Sequence, residues 1–234
     1  SMCSGALKGQ DSCLCQACVS ELPWLETQCQ HCAVPLTVDS TCANCQLNPP
    51  SYRRCISAFA YQTPIDSIIL SLKSDPYTAE IKQLTELMAA RIINTYKHSQ
   101  TPLPQLVIPL PLHWRKMTQR GFNQSHIISH LLAEQLLRTH QTEIKVQSKL
   151  CQRISHSHAQ HTLNKKQRAI SIKKAFSITP QSALAVKGLS IAVVDDVVTT
   201  GATANAISKT LLSAGANHVD IWCLARTSWN NLTE

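Results

Sequence analysis

The chain has 234 residues, 44% of them apolar and 15% charged, a length that can bury a core and suggests one medium domain with room for a small accessory one. No uninterrupted apolar run approaches the roughly 20 residues of a membrane span, and no apolar signal core stands near the N-terminus, so the expectation is a soluble, cytoplasmic protein. The formal charge of +8 is unevenly placed: residues 1–50 carry Lys8 against Asp11, Glu21, Glu26 and Asp39, which leaves 21 basic and 10 acidic residues for the remainder.

Cysteine is localised in the same way, with eight of eleven in the first 45 residues. Cys29-x-x-Cys32 and Cys42-x-x-Cys45 are separated by the nine residues AVPLTVDST, enough for a short ribbon that brings two knuckles together. Four thiolates then make a closed tetrahedral zinc site. A thioredoxin-like redox site would need a single pair beside a βαβ pattern, which is missing around these pairs. Cys15-x-x-Cys18 is a third pair whose partners would have to come from Cys3 or Cys13, so one zinc or two stays open. The metal's expected role is structural, because this segment is too small for a core of its own. Cys55, Cys151 and Cys223 stand singly in apolar surroundings and are expected as core thiols.

QLNPPSYRRC (Gln46 to Cys55) contains Pro49-Pro50, which cannot continue a helix or a sheet ladder. The boundary is placed there, between a cysteine-rich ribbon (1–50) and a larger domain (51–234). In the larger domain the pattern predicts an edge strand at Ala58 to Tyr61, helices at about Pro64 to Lys73 and Thr78 to Lys97, and a strand at Leu106 to Leu112 running into a loop. It continues with an amphipathic helix from Asn123 to Arg138, a buried strand at Leu189 to Val194, a helix at Thr203 to Ala214 ended by Gly215, and a last strand at Val219 to Ala225. Strands alternating with helices imply a parallel, three-layer α/β sheet.

The stretch VVDDVVTTGAT (Val193 to Thr203) therefore falls between a buried strand and a helix. In an open α/β sheet that is where ligands bind. Thr199, Thr200, Gly201, Ala202 and Thr203 offer hydroxyls and backbone N–H groups at a helix N-terminus, an arrangement that holds phosphate. Asp195 and Asp196 cannot bind the phosphate itself but can accept hydrogen bonds from ribose hydroxyls. A sugar phosphate satisfies both halves. Upstream, PLPLHWRKMTQRGFNQS (Pro109 to Ser125) gathers Trp114, Arg115, Lys116, Arg120 and Phe122 around Gly121, cations with interleaved aromatics that suit pyrophosphate or a stacked base on a phosphate backbone. Residues 106–176 as a whole hold twelve Lys or Arg against Glu134 and Glu143, which attracts polyanions or is simply a solvated surface.

The run from Val193 to Thr203 resembles the phosphoribosyl pyrophosphate (PRPP) motif of type I phosphoribosyltransferases. The resemblance implies that Asp195 and Asp196 hold ribose hydroxyls, that Thr199 to Thr203 hold the 5′-phosphate, and that Mg2+ accompanies PRPP. Members acting on 6-oxopurines have an acid immediately before the Thr-Gly, where this chain has Thr199, so purine salvage is disfavoured. With the cysteine pairs, Glu21-Leu-Pro-Trp24, the Arg120-Gly-Phe-Asn-Gln124 run and the ending Leu224-Ala-Arg226, the whole chain resembles the ComF family of competence proteins. Its pattern departs from that family at the first cysteine pair, which is incomplete, and at Ser171, where an Asn is preferred; Gln160, Leu163 and Arg168 are kept. The resemblance implies a cytoplasmic factor of natural transformation that handles incoming single-stranded DNA alongside a DNA-translocating helicase and binds PRPP or a related ligand. The alternatives are an active phosphoribosyltransferase of nucleotide salvage or biosynthesis and a zinc-dependent adaptor.

Overall fold

The computed structural model describes residues 13–154 and 175–228. Its centre is a five-stranded sheet in the order β1 (Arg54–Ala60), β7 (His218–Arg226), β6 (Ser190–Val198), β2 (Leu106–Pro109), β3 (Lys145–Val146), with every neighbouring pair parallel. Parallel strands need crossovers, which place helices over both faces. On one face lie α3 (Ile65–Ser71), α4 (Ala79–His98) and α6 (Gln124–His140), and on the other α8 (Ala202–Ser213). Helix α4 is opened by the Thr78 side chain, which accepts from the Ile81 N–H, and α6 by Asn123, which accepts from the Ser125 N–H at 3.1 Å.

The faces are read directly from the strands. Ala192, Val194, Val107, Trp222 and Leu224 pack with Ile92, Met88 and Ile128 of α4 and α6. Ile191, Val193, Leu106, Ile108, Ile221 and Cys223 pack with Ile207 and Leu211 of α8 and with the four knuckle cysteines. The period-two alternation of β6 slips at the acid pair, because Val194 and Val197 both touch the first cluster while Val193 and Val198 both belong to the second.

Several differences from the sequence reading have local causes. Strand β6 runs on through Asp195 and Asp196 to Val198, so the acids belong to the strand's last residues and not to the turn. Polar residues lower strand propensity, but eight register pairs with β7 carry the strand past them. Strand β1 is likewise longer than its apolar part. Helix α5 (Trp114–Arg120), helix α7 (Pro180–Val186) and the two-stranded antiparallel pair β4 (Cys151–Arg153) and β5 (Phe176–Ile178) are additional. Short elements like α5, which buries no residue, have no apolar face to announce them. The single cysteines Cys55, Cys151 and Cys223 are buried. Gln160, Leu163, Lys165, Lys166, Arg168 and Ser171 lie outside the described residues.

Candidate functional site

Strands β2 and β6 are neighbours whose following helices leave to opposite faces, α6 to one and α8 to the other. Such a switch point opens a crevice at the carboxyl ends of the strands, and both sequence motifs end there. From the β2 side, the Asn123 amide donates to the Leu110 carbonyl at 3.0 Å while its oxygen caps α6. From the β6 side, half-buried Asp195 accepts from the Ser125 hydroxyl at 3.1 Å. Each acid also accepts the N–H of the next residue, Asp196 onto Asp195 at 2.9 Å and Val197 onto Asp196 at 2.8 Å. Burial first, and then the neighbouring Asp196 carboxylate, push the Asp195 carboxyl well above the usual carboxylate range. Tyr61, just past the end of β1, is raised by burial and by Asp66 and Asp196. The buried side-chain nitrogen of Gln124, in the first turn of α6, has no hydrogen-bond partner among the described residues, an expensive state for a polar atom.

The loop that follows is tightly formed. Gly201 caps α8 with φ +77°, and a Cβ there would stand 3.2 Å from the Tyr52 hydroxyl. Both the backbone sign and the close approach call for glycine. The Ala202 N–H is taken by the Thr200 hydroxyl at 3.2 Å, while Thr199, Thr200 and Ala202 are exposed and Thr203 is half-buried. Beneath the loop is Arg226, at 0% exposure. Its guanidinium donates to the carbonyls of Val198 at 3.1 Å, of Thr199, and of Thr227 at 2.9 Å, and through Nε to Cys32 at 2.8 Å. Arg226 is a functional candidate that sequence reasoning left as a motif residue. The signal was there, a cation ending the apolar run Ile221 to Ala225, but its partners Cys32, Val198 and Thr199 are far away in sequence.

The Cys32 carbonyl leads to the four-cysteine cluster. Cys29, Cys32, Cys42 and Cys45 are all buried, with sulfur atoms all within 4.8 Å of one another. A tetrahedral zinc with bonds of ~2.3 Å requires sulfurs about 3.8 Å apart, and the Cys32 and Cys42 sulfurs are at 3.7 Å. Local structure sets this up. The Cys29 to Cys32 knuckle closes through the Ala33 N–H onto the Cys29 carbonyl at 2.9 Å, with Ala33 at φ +56°. Cys42 is the N-cap of α2 (Ala43–Leu47) and Cys45 lies one turn on, so both face the same way. Burial raises the Cys29 thiol, but the N–H groups of Cys32, Cys42 and His31 more than offset it and bring it down to about 7. Burial pushes Cys32 up to about 11, and a metal cation supplies the charge such thiolates need. The four residues fit zinc. Cys15 and Cys18 lie at the start and in the body of α1 (Gln16–Ser20) and do not join this cluster. Of their candidate partners, Cys13 donates its thiol to the Gln83 amide oxygen at 3.1 Å, and Cys3 lies outside the described residues.

Helix α5 carries the basic motif on the surface. Trp114 is 54% exposed, with the Arg115 guanidinium 5.4 Å from its ring centroid and the His113 ring stacked at 5.9 Å. Lys116 and Arg120, one turn apart, line a 250 Å³ groove with Gln119 and with Lys73 from beyond α3. Lys73 was not anticipated, because nothing local to residue 73 indicates which surface α5 faces. Burial and the cations of Arg153, Arg115 and Lys116 hold His113 below its ordinary range, which brings Arg153 of β4 into the same positive region. Phe122 is half-buried and packs against the core, apart from this exposed group.

A parallel α/β body with an acid pair and a Thr-Gly loop at its strand ends, joined to a four-cysteine knuckle, describes a protein of the phosphoribosyltransferase-like fold bearing a cysteine cluster that fits zinc. The comparisons with known proteins make the assignment finer. The chain is 31% identical to the DNA utilization protein YhgH of Salmonella typhi over 215 residues, covering 92% of this chain and 90% of that protein. It is 29% identical to competence protein F of Haemophilus influenzae, covering 96% and 95%, and 27% identical to competence protein ComFC of Bacillus subtilis, covering 88% and 80%. The chain belongs to the ComF family, together with YhgH and competence protein F. No protein-family profile matches it. Similar solved structures include the glutamine PRPP amidotransferase of B. subtilis, 17% identical with a TM-score of 0.38 over 61% of this chain and 25% of that one. They also include the hypoxanthine phosphoribosyltransferase of Trypanosoma cruzi, 16% identical with a TM-score of 0.39 over 63% and 65%. Among the described residues no helix is long and apolar enough to cross a membrane.

Proposed function

We propose that this protein is a cytoplasmic factor of DNA uptake that binds PRPP or a related phosphosugar with Mg2+ and contacts incoming single-stranded DNA, working beside a DNA-translocating helicase. The names of its relatives, competence proteins and DNA utilization proteins, support the role in DNA uptake. The observation that carries the ligand reading is the pairing, at one strand end, of Asp195 held by Ser125 with a glycine-capped helix N-terminus six residues on. Asp195 and Asp196 take the ribose hydroxyls, and Thr199, Thr200, Gly201, Ala202 and Thr203 take the 5′-phosphate. Asp195 and Asp196 would face the ligand's own negative charge, and Mg2+ accompanying PRPP would offset that repulsion. The exposed group Trp114, Arg115, Lys116 and Arg120, joined by Lys73, suits phosphates and an occasional stacked base. Residues 1–50 serve as the zinc-dependent unit and 51–234 as the phosphosugar-binding unit.

Calorimetric titration of the zinc-loaded protein with PRPP, with and without Mg2+, tests the reading. Saturable, Mg2+-dependent binding that disappears in the Asp195→Ala/Asp196→Ala variant is the expected result, and heat unchanged by that variant would place the ligand elsewhere. Active transfer is the second reading. It is favoured by a 370 Å³ cavity lined by Trp24, Leu36, Tyr61 and Gln62 at the carboxyl end of β1, room for an acceptor beside Tyr61, whose hydroxyl senses the Asp196 charge. Release of pyrophosphate from PRPP on adding a nucleobase would establish it.

A further inference from the structure

We propose that Arg226 is a positioning residue that couples the shape of the 199–203 loop to metal occupancy of the cysteine cluster. The ligand consequence rests on the phosphosugar reading above; the coupling itself rests on contacts within the chain.

The guanidinium is planar and its donors point in fixed directions. On one side Nε is committed to the carbonyl of Cys32, which supplies one of the four clustered sulfurs. On the other, Nη1 gathers the carbonyls of Val198 and Thr199, where β6 turns into the loop. In a trans peptide the carbonyl and the next N–H point in opposite directions. With the Val198 and Thr199 carbonyls turned down onto Arg226, the N–H groups of Thr199 and Thr200 are therefore turned away from it, toward the open side of the loop where an anion would sit. The same cation adds positive charge below that position.

A second link runs beside the first. Ser51 and Tyr52 follow α2 closely. The Ser51 N–H donates to the Asn205 side chain at 2.7 Å, and the buried Tyr52 hydroxyl abuts Gly201. Cys32, Cys45, Tyr52, Gly201 and Asn205 line one cavity of 160 Å³ between knuckle and loop. A bound metal fixes the Cys32 backbone by holding its sulfur. Without the metal, the knuckle keeps its turn bond and two anchors, the Gln30 N–H on the Ser40 carbonyl at 3.1 Å and the Cys55 N–H on the His31 carbonyl at 2.7 Å, but the Cys32 sulfur is released and Arg226 loses a fixed acceptor. A buried cation with a displaced acceptor must find another, and a shift of Nη1 leaves the Val198 and Thr199 carbonyls to the N–H and hydroxyl of Thr227, at 3.2 and 3.3 Å, a looser hold on the loop.

Hydrogen exchange of the full chain tests this without any ligand. Three samples are compared: zinc-loaded protein, chelator-treated protein, and zinc-loaded Arg226→Lys, whose ammonium lacks the fork that spans both sides. The amides of residues 199–205 should exchange about tenfold faster in the second and third samples, while Ala192 to Val194 in the sheet stay protected and the Lys variant keeps its zinc. Loop protection that is unchanged by both treatments overturns the proposal. If chelation also exposes Ala192 to Val194, the Lys variant decides alone; if that variant does not fold, chelation decides. PRPP titration in parallel keeps the two readings apart. Zinc-loaded wild-type protein that ignores PRPP overturns the phosphosugar reading, whereas a loop indifferent to metal and to Arg226 overturns the coupling.

Discussion

The 199–203 loop and helix α5 both present groups suited to phosphate, and they are built in opposite ways. The loop sits on a buried arginine, a buried tyrosine and a glycine with positive φ, so its backbone is set before any ligand arrives. Helix α5 buries none of its residues, is seven residues long, and offers Lys and Arg side chains next to an exposed Trp. A preorganised loop pays little ordering entropy and can select one small ligand. An exposed row of cations forms contacts one phosphate at a time and reads charge, not sequence. The contrast teaches that groups suited to phosphate can be presented by a backbone fixed in advance or by an exposed helix, and that the two constructions suit different ligands.

The largest expected effect breaks the base of the rigid region. Metal analysis of protein prepared without chelator should find at least one zinc, and Cys29→Ser or Cys42→Ser should unfold the ribbon while the sheet persists. Metal-bound folding of such segments is worth on the order of 10 kcal/mol, and far-ultraviolet circular dichroism with limited proteolysis reads the loss. Zinc-free protein with an intact ribbon would refute the metal assignment.

Next in size is the rigid site itself. Asp195→Ala with Asp196→Ala should cost several kcal/mol of PRPP affinity, on the order of 3 or more, because hydrogen-bonded charged partners are removed. Stability should fall little, which a melting curve on the same sample checks.

The exposed region should respond more gently. Trp114→Ala should weaken single-stranded DNA binding by roughly 1–3 kcal/mol if a base stacks there. Lys73→Ala, Lys116→Ala and Arg120→Ala should each flatten the salt dependence, since each contacted phosphate contributes a slope of roughly −0.7 in log affinity against log salt. Gel shifts at several salt concentrations measure both. An absent shift at low salt removes direct DNA contact and leaves the uptake role to protein partners. PRPP that displaces DNA completely would merge the two regions into one site and erase the comparison.

The smallest effect sharpens it through pH. The Asp195 carboxyl is held above its unfolded value by burial and by Asp196. A raised pKa means that its contribution to stability is full below the unfolded value near pH 4 and is lost as pH rises through the folded value. Asp195→Asn keeps an acceptor for the Ser125 hydroxyl and the Asp196 N–H but cannot ionise. Its melting temperature should therefore exceed that of the wild type by a margin that grows from pH 4 toward neutrality, although PRPP binding is lost. A margin independent of pH would show that Asp195 carries no such strain. A margin that grows with pH would show that the ionised Asp195 carboxylate lowers stability at this crevice.

The sequence by itself determined what depends on short spacing. Two Cys-x-x-Cys pairs specify a metal knuckle because the chemistry needs only those intervals. The run Val193 to Thr203 specifies a strand followed by a glycine-capped helix start, because apolar residues, acids and Thr-Gly lie within eleven residues of one another. The helices α4, α6 and α8 announced themselves through apolar residues at helical spacing. Only the tertiary structure decided the rest. It carried β6 past its acids, since pairing with β7 outweighs their poor strand propensity, and it made a helix of Trp114–Arg120, which has no buried face to signal it. It brought Lys73 to Lys116 and Arg120 from about forty residues away in the chain. It also set Arg226 between Cys32 and Thr199, a junction of three segments that no local pattern encodes, because the parallel sheet alone brings the end of β7 beside the end of β6 and beneath the cysteine knuckle.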